Sequence, residues 1–241
     1  TLLHRLLAAD PRARGLLSWE ALHPAPLPGE GEAGSFRRRA AAKIAEQGLR
    51  ALAPQFFAIH PVEADAPEED VLLLDLCFMS QAPEATLRVP TYARWLETHD
   101  ALPAYRYFRR ALQVLTHQRA RDHWVVKTPH HLEYLGELLT AFPDAVIIQT
   151  HRDPQATMGS FCSMVAHGRG IFSDDVDPRE VGSHWLRKVR RMLDRSRSVR
   201  DGGHGASFVD VSYYDLVKDP LAQVRRIYDH AGLAFTDEAQ A

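Results

Sequence analysis

Two cationic side chains each close a short run of apolar, largely β-branched residues, and each is followed at once by a turn that starts a helix. In Thr150-His151-Arg152-Asp153-Pro154, Asp153 suits the N-cap and Pro154 the first helical position, so the turn has a structural reason of its own. That reason does not cover Arg152. A guanidinium at the carboxyl edge of a parallel sheet, beside a helix N-terminus, either grips an anion with its planar fork of donors or closes a surface salt bridge. Ser160, two turns into the same helix, adds a hydroxyl for the same anion. In Lys127-Thr128-Pro129-His130-His131, Thr128 suits the cap, Pro129 the helix start, and Lys127 ends the strand. An ammonium there stabilises charge that develops on a leaving oxygen, given that the oxygen belongs to a bound phosphate or sulfate group. His130 and His131 stand about 100° apart on a helix, so at most one faces the cleft. His131 carries the proton affinity a general base needs.

The elements that hold these residues follow from periodicity. From position 123 the chain alternates strand and helix: 123–127 leads to a helix over 129–141, 145–150 to one over 154–166, and 207–211 to the segment 213–217 and a last helix over 220–231. A long charged helix covers 178–200. Such βα units predict an α/β domain with a parallel sheet, whose ligands bind at the carboxyl ends of the strands. The first half reads differently. Leu2, Leu3, Leu6 and Leu7 recur at helical spacing, Pro24 to Gly31 is a linker by composition, and Ser35 is placed to cap a helix through Leu52. The stretches 69–80, 91–98 and 103–119 predict further helices, making 35–120 a helical cap.

Composition narrows the function classes. The 241 residues carry a net charge of −2, which removes whole-protein electrostatics as a reason for a nucleic-acid or membrane-surface partner. Among 29 basic residues only four are Lys, so each Lys merits individual attention. Cys77 and Cys162, far apart in apolar settings, form neither a disulfide framework nor a metal cluster, and fit a reducing cytoplasm. The 13 His include no His-Glu-x-x-His and no pairing with Cys-x-x-Cys, so no metal is expected. The apolar run from Val71 to Met79, interrupted by Asp75, is too short to cross a bilayer. Asp75 imitates the acid that holds Mg²⁺ after a hydrophobic strand, but Glu68, Glu69 and Asp70 ahead of it are the charge pattern of a helix start, so a core helix is expected. Trp95, Trp185 and Tyr105 to Phe108 either line an acceptor pocket or fill the core, and aromatics on amphipathic helices favour the core.

The run from Val125-Val126-Lys127-Thr128-Pro129 through Phe142-Pro143-Asp144-Ala145 to His151-Arg152-Asp153-Pro154 and Ser160, then Val211 to Val217 and Pro220, resembles the PAPS-dependent sulfotransferases. It is most similar to bacterial enzymes of the Lys-Ser/Thr-Pro-x-His type and to tyrosylprotein sulfotransferases, over about 1–25 and 122–235. The resemblance implies a P-loop-like fold. It assigns the 3′-phosphate of PAPS to Arg152 and Ser160, and support of the cofactor site to Tyr213. Thr1-Leu2-Leu3 resembles the end of an Arg-x-Gly-Thr/Ser-Thr/Ser loop that cradles the 5′-phosphosulfate, so Thr1 would touch it and the rest of the loop is expected upstream.

For the base, the resemblance offers Glu20, at the place where tyrosylprotein sulfotransferases carry a catalytic Glu. The alternative is His131, although cytosolic sulfotransferases place that His two positions after the Lys rather than four. The expected activity is transfer of a sulfuryl group from PAPS to a hydroxyl or amine on a small molecule or peptide, with Lys127 at the leaving oxygen and no metal. A metal-dependent P-loop kinase and a non-catalytic nucleotide-binding or interaction module are the rivals.

Overall fold

Leucines at helical spacing and a buried Asp10 end-stop build α1 (Leu2–Ala8), after which the chain enters β1 (Ala13–Gly15) and α2 (Ser18–Leu22). The computed structural model describes residues 2–31 and 35–240; Thr1, the expected 5′-phosphosulfate contact, lies outside them. The helical stretch runs through α3 (Phe36–Leu52), α4 (Pro54–Ile59), α5 (Val71–Asp75), α6 (Ala82–Thr86), α7 (Pro90–Thr98) and α8 (Leu102–Gln118). Then come β2 (His123–Val125), α9 (Leu135–Ala141), β3 (Ile147–His151), α10 (Pro154–Gly170) and α11 (Pro178–Val199). The chain finishes with β4 (Phe208–Ser212), α12 (Tyr213–Lys218), α13 (Pro220–Ala231) and α14 (Asp237–Gln240).

The fold is α/β with parallel strands, as the alternation of strand and helix required. β1 pairs in parallel with β2, and β3 with β4 in the register Ile147↔Phe208 to His151↔Ser212. Strand β1 was not foreseen, because three residues are too few to display a period. Val125 of β2 and Ile148 of β3 pack on one apolar cluster built from Leu3 and Leu7 of α1, Val209 and Val211 of β4, and Val224, Ile227 and Tyr228 of α13. A second cluster joins α5, α8 and α9 through Leu73, Leu74, Phe108, Leu112, Leu115 and Leu138.

Two helices depart from the expected spans for local reasons, and one expected cap is not made. The helix expected over 69–80 stops at Asp75, whose carboxylate takes the Ser80 hydroxyl at 2.7 Å, and the chain then turns through Phe78 at a φ of 57°. The helix expected over 129–141 is broken at Tyr134 into a 3₁₀ turn, Pro129–Glu133, and α9. Ser35 precedes α3 without a capping hydrogen bond from its side chain. Trp185, Tyr105 and Phe108 are buried core residues, whereas Trp95 is partly exposed between the rings of Tyr92 and His99.

Candidate active site

Parallel pairing decides where Arg152 sits. Because His151 is opposite Ser212, the next residues of the two strands, Arg152 and Tyr213, emerge side by side at the carboxyl end. The Arg152 guanidinium lies 4.5 Å from the Tyr213 ring centroid, a cation–π contact that pre-orients the fork. No carboxylate pairs with Arg152 among the described residues. Asp153 caps α10 as expected, its Oδ1 accepting the Gln155 amide at 2.8 Å, and Ser160 is exposed two turns along that helix. One residue back, His151 contacts Asp210 at 2.7 Å, and Arg200 holds the same carboxylate from the other side. The Arg200 hydrogen bond keeps Asp210 well below the usual carboxylate range.

Lys127 leaves the end of β2, and its ammonium meets the Glu69 carboxylate. Both side chains are part-exposed, at 33% and 21%. Glu69 arrives there because the segment before α5 is tied to the start of α2: the Ser18 and Trp19 amides donate to Ala66 and Ala64, and the Glu68 amide to Leu16. Thr128 caps the following turn, its hydroxyl accepting the His130 amide at 3.2 Å. His4 of α1 lies buried near Lys127 and Asp70, and burial, aided by the Lys127 charge, pushes its pKa down to about 4. The neighbouring Glu68 is raised, chiefly by burial.

Neither base suggested by the sequence opens onto this cluster. Glu20 is 1% exposed, and Arg14 grips both its oxygens at 2.8 Å. Arg119 and the Leu17 amide complete its shell at 3.2 and 3.0 Å. Glu20 is thus a buried member of an ion-pair network. His131 is likewise engaged: one ring nitrogen contacts the wholly buried Asp70 at 3.1 Å and the other the wholly buried Tyr105 hydroxyl at 2.8 Å. His130, buried against the Tyr134 ring at 4.8 Å, is held neutral chiefly by burial.

Sequence reasoning therefore missed Glu69, Asp70 and His4. The first two were visible as the acidic run ahead of α5, where the helix-start explanation sufficed by itself. His4 showed no signal beyond its place on an apolar helix. A surface depression of about 510 Å³ is lined by Lys43, Glu46 and Gln47 of α3 and by residues 63–66, and includes neither Lys127 nor Arg152.

What remains suits an anionic ligand carrying charge at two places. Among the described residues, a guanidinium with no carboxylate partner follows β3 and a part-exposed ammonium follows β2, and both strands pack on one apolar cluster; open α/β sheets bind ligands at the carboxyl ends of their strands.

A model of the sulfotransferase family matches residues 1–237. The omega-hydroxy-beta-dihydromenaquinone-9 sulfotransferase Stf3 of Mycobacterium bovis is 27% identical over an alignment covering 97% of this chain and 60% of that protein, and the Mycobacterium tuberculosis protein of the same name matches equally. The chain thus spans 60% of the length of these curated relatives. The crystal structure of sulfotransferase STF1 from Mycobacterium tuberculosis superposes with a TM-score of 0.88 at 36% identity, over 100% of this chain and 66% of that one. Sulfotransferase STF9 from Mycobacterium avium gives 0.86 at 28% identity, over 100% and 62%.

Proposed function

Since the chain belongs to the sulfotransferase family, we propose that it transfers a sulfuryl group from PAPS to an acceptor hydroxyl, with Arg152, Ser160, Tyr213 and Lys127 as its donor-side residues. The observation that carries the reading is Arg152, held over Tyr213 and, among the described residues, without a carboxylate partner. PAPS supplies the sulfuryl group and a phosphate leaving group. Arg152 binds the 3′-phosphate with its fork, Tyr213 fixes the plane of that fork, and Ser160 adds a hydroxyl from α10. Thr1 contributes to the 5′-phosphosulfate by resemblance. Lys127 places its ammonium where negative charge grows during transfer, so its stabilisation acts on the transition state more than on the ground state. Glu20 and His131 act in the scaffold that holds this constellation.

A hydroxyl acceptor is preferred to an amine because the two Stf3 relatives are named as sulfotransferases of omega-hydroxy-beta-dihydromenaquinone-9. An apolar body on that alcohol also suits this chain: Ile59, Leu76, Phe78, Leu87 and Phe172 are exposed on or beside α4, α5, α6 and α10, which pack on one another. Among the described residues no helix is long and apolar enough to cross a membrane. The free thiols of Cys77 and Cys162 suit a reducing compartment such as the cytoplasm.

Calorimetry with 3′-phosphoadenosine 5′-phosphate (PAP) tests the donor side, and sulfate transfer from labelled PAPS to long-chain alcohols tests the reaction. Binding that is undetectable in the folded chain, or binding of ATP with Mg²⁺ in preference to PAP, removes the reading in favour of a nucleotide-binding module or a kinase.

A further inference from the structure

Among the described residues, β1 with β2 and β3 with β4 form two separate hydrogen-bonded pairs. No ladder between them therefore fixes the end of β2, which leads to Lys127, relative to the end of β3, which leads to Arg152. The apolar cluster that both strands pack on is non-directional and does not set a spacing by itself. One helix reaches both ends through directional charge contacts. Glu133, which closes the turn after Lys127, is buried against α11: Arg191 donates to its Oε1, Arg195 to its carbonyl, and the wholly buried Lys188 stands 3.3 Å from its Oε2. Arg200 directly follows Val199 with a backbone that is still helical, at φ −61° and ψ −47°. Its fork donates to both oxygens of Asp210 on β4, and the same carboxylate meets His151, the residue before Arg152, at 2.7 Å.

We propose that Arg200 is a positioning residue for the donor site, an inference that rests on the sulfuryl-transfer reading above. Through Asp210 and His151 it holds the end of β3, and with it Arg152, to the helix that also holds the turn after Lys127. Arg191 and Arg200 are about 14 Å apart along that helix, so α11 acts as a ruler between the two cations. The donor carries one anionic group for each of them, at the 3′ and 5′ positions of a single ribose. When the cations are held at a fixed separation, the second contact follows the first at high effective concentration and orders little that was not ordered before. Without Arg200, Arg152 and Lys127 both remain, and their separation loosens. The loss should therefore fall on a ligand that spans both cations and spare one that meets either alone.

Calorimetry on the full chain separates these cases with three probes: PAP, adenosine 3′-phosphate and adenosine 5′-phosphate. Arg200→Gln should weaken PAP binding by about 3- to 30-fold, the scale of coupling between groups in one network, and leave the two monophosphates little changed. Asp210→Asn breaks the same tie from its other end and should reproduce that pattern. Arg200→Lys, which offers a single ammonium where the fork spans two oxygens, should fall between. In an Arg152→Ala background, Arg200→Gln should add little further loss for PAP, because Arg200 acts through Arg152. Full PAP affinity in a folded Arg200→Gln protein overturns the assignment. So does an equal loss for all three probes, which is the behaviour of general destabilisation, and so does an undiminished loss in the Arg152→Ala background. Each of these leaves the sulfuryl-transfer reading in place as long as the wild type binds PAP. A wild type that binds no PAP overturns that reading, and this inference with it.

Discussion

Arg152 and Tyr213, 61 positions apart in the chain, stack because parallel pairing of β3 with β4 brings the ends of both strands to one level. An exposed guanidinium ordinarily loses much rotamer freedom on gripping an anion; one already laid over a ring loses less. Arg152→Ala should weaken PAP binding by roughly 1.5–3 kcal/mol, the scale of hydrogen bonds to charged groups. Tyr213→Ala should cost about 0.5–1 kcal/mol through the lost cation–π contact, while Tyr213→Phe should bind almost as wild type. Calorimetry on the three variants checks the order, and unchanged affinity in a folded Arg152→Ala protein would detach this residue from the donor site.

Lys127 answers to a different observable. If its ammonium meets charge that exists only during transfer, Lys127→Ala should lose turnover by about 10²–10³-fold, the scale of deleting one oxyanion donor. Lys127→Arg should fall short of rescue, because a planar guanidinium does not reproduce a compact point charge. Measurement of kcat and KM for PAPS separates the cases: a rise in KM at constant kcat would mean that Lys127 only binds the donor.

Glu20 and His131 should show up in stability before they show up in rate. Glu20→Gln leaves the buried Arg14 guanidinium without its counter-charge, and breaking such a pair costs on the order of 3–5 kcal/mol. His131→Ala strands the Asp70 carboxylate and the Tyr105 hydroxyl, for a loss on the order of 2–4 kcal/mol. Denaturant titration should reveal both losses. Below the unfolding transition, the folded Glu20→Gln protein should keep turnover within a few-fold of wild type; a rate loss near 10²-fold or more with full stability would return Glu20 to catalysis.

The contrast between these groups explains how far sequence alone reached. Arg152 and Lys127 were legible because a strand-to-helix turn is a short-range pattern, and a cation at its mouth has no structural need to be there. The strands β2, β3 and β4 and the helices α7, α8, α10 and α11 were legible for the same short-range reason. Charge pairing is long-range and was not. Lys188, one of the four Lys, is wholly buried on α11 and touches Glu84, Glu97 and Glu133 from three other segments. Arg191 also reaches Glu133, which fastens the turn after Lys127 to α11. Nothing local to Lys188 announces those partners, just as nothing local to Glu20 announces Arg119 or to Glu69 announces Lys127. Glu20 resembles a catalytic Glu by position in the chain, and its burial on Arg14 was not legible there.

The pH dependence of stability should report His4. In the folded chain its pKa lies at about 4, lowered first by burial and next by the Lys127 charge, against an ordinary value of 6.5. Above pH 6.5 both folded and unfolded chains hold it neutral, so it imposes no slope. As the pH falls below 6.5, the unfolded chain binds a proton that the folded one refuses, and stability is lost until the folded imidazole also protonates near 4. A difference of about 2.5 units corresponds to roughly 3 kcal/mol over that window. His130, also lowered, adds a slope of the same sign, and the raised Glu68 carboxyl adds one of opposite sign. A comparison of variants therefore isolates His4 better than the wild type alone. Urea unfolding of wild type and His4→Gln at pH 7.5 and pH 5 should give a smaller pH-dependent loss in the variant, by about 1–2 kcal/mol. Identical losses would mean that His4 is as free to protonate in the folded chain as in the unfolded one, and that the apolar wall beside Lys127 admits water.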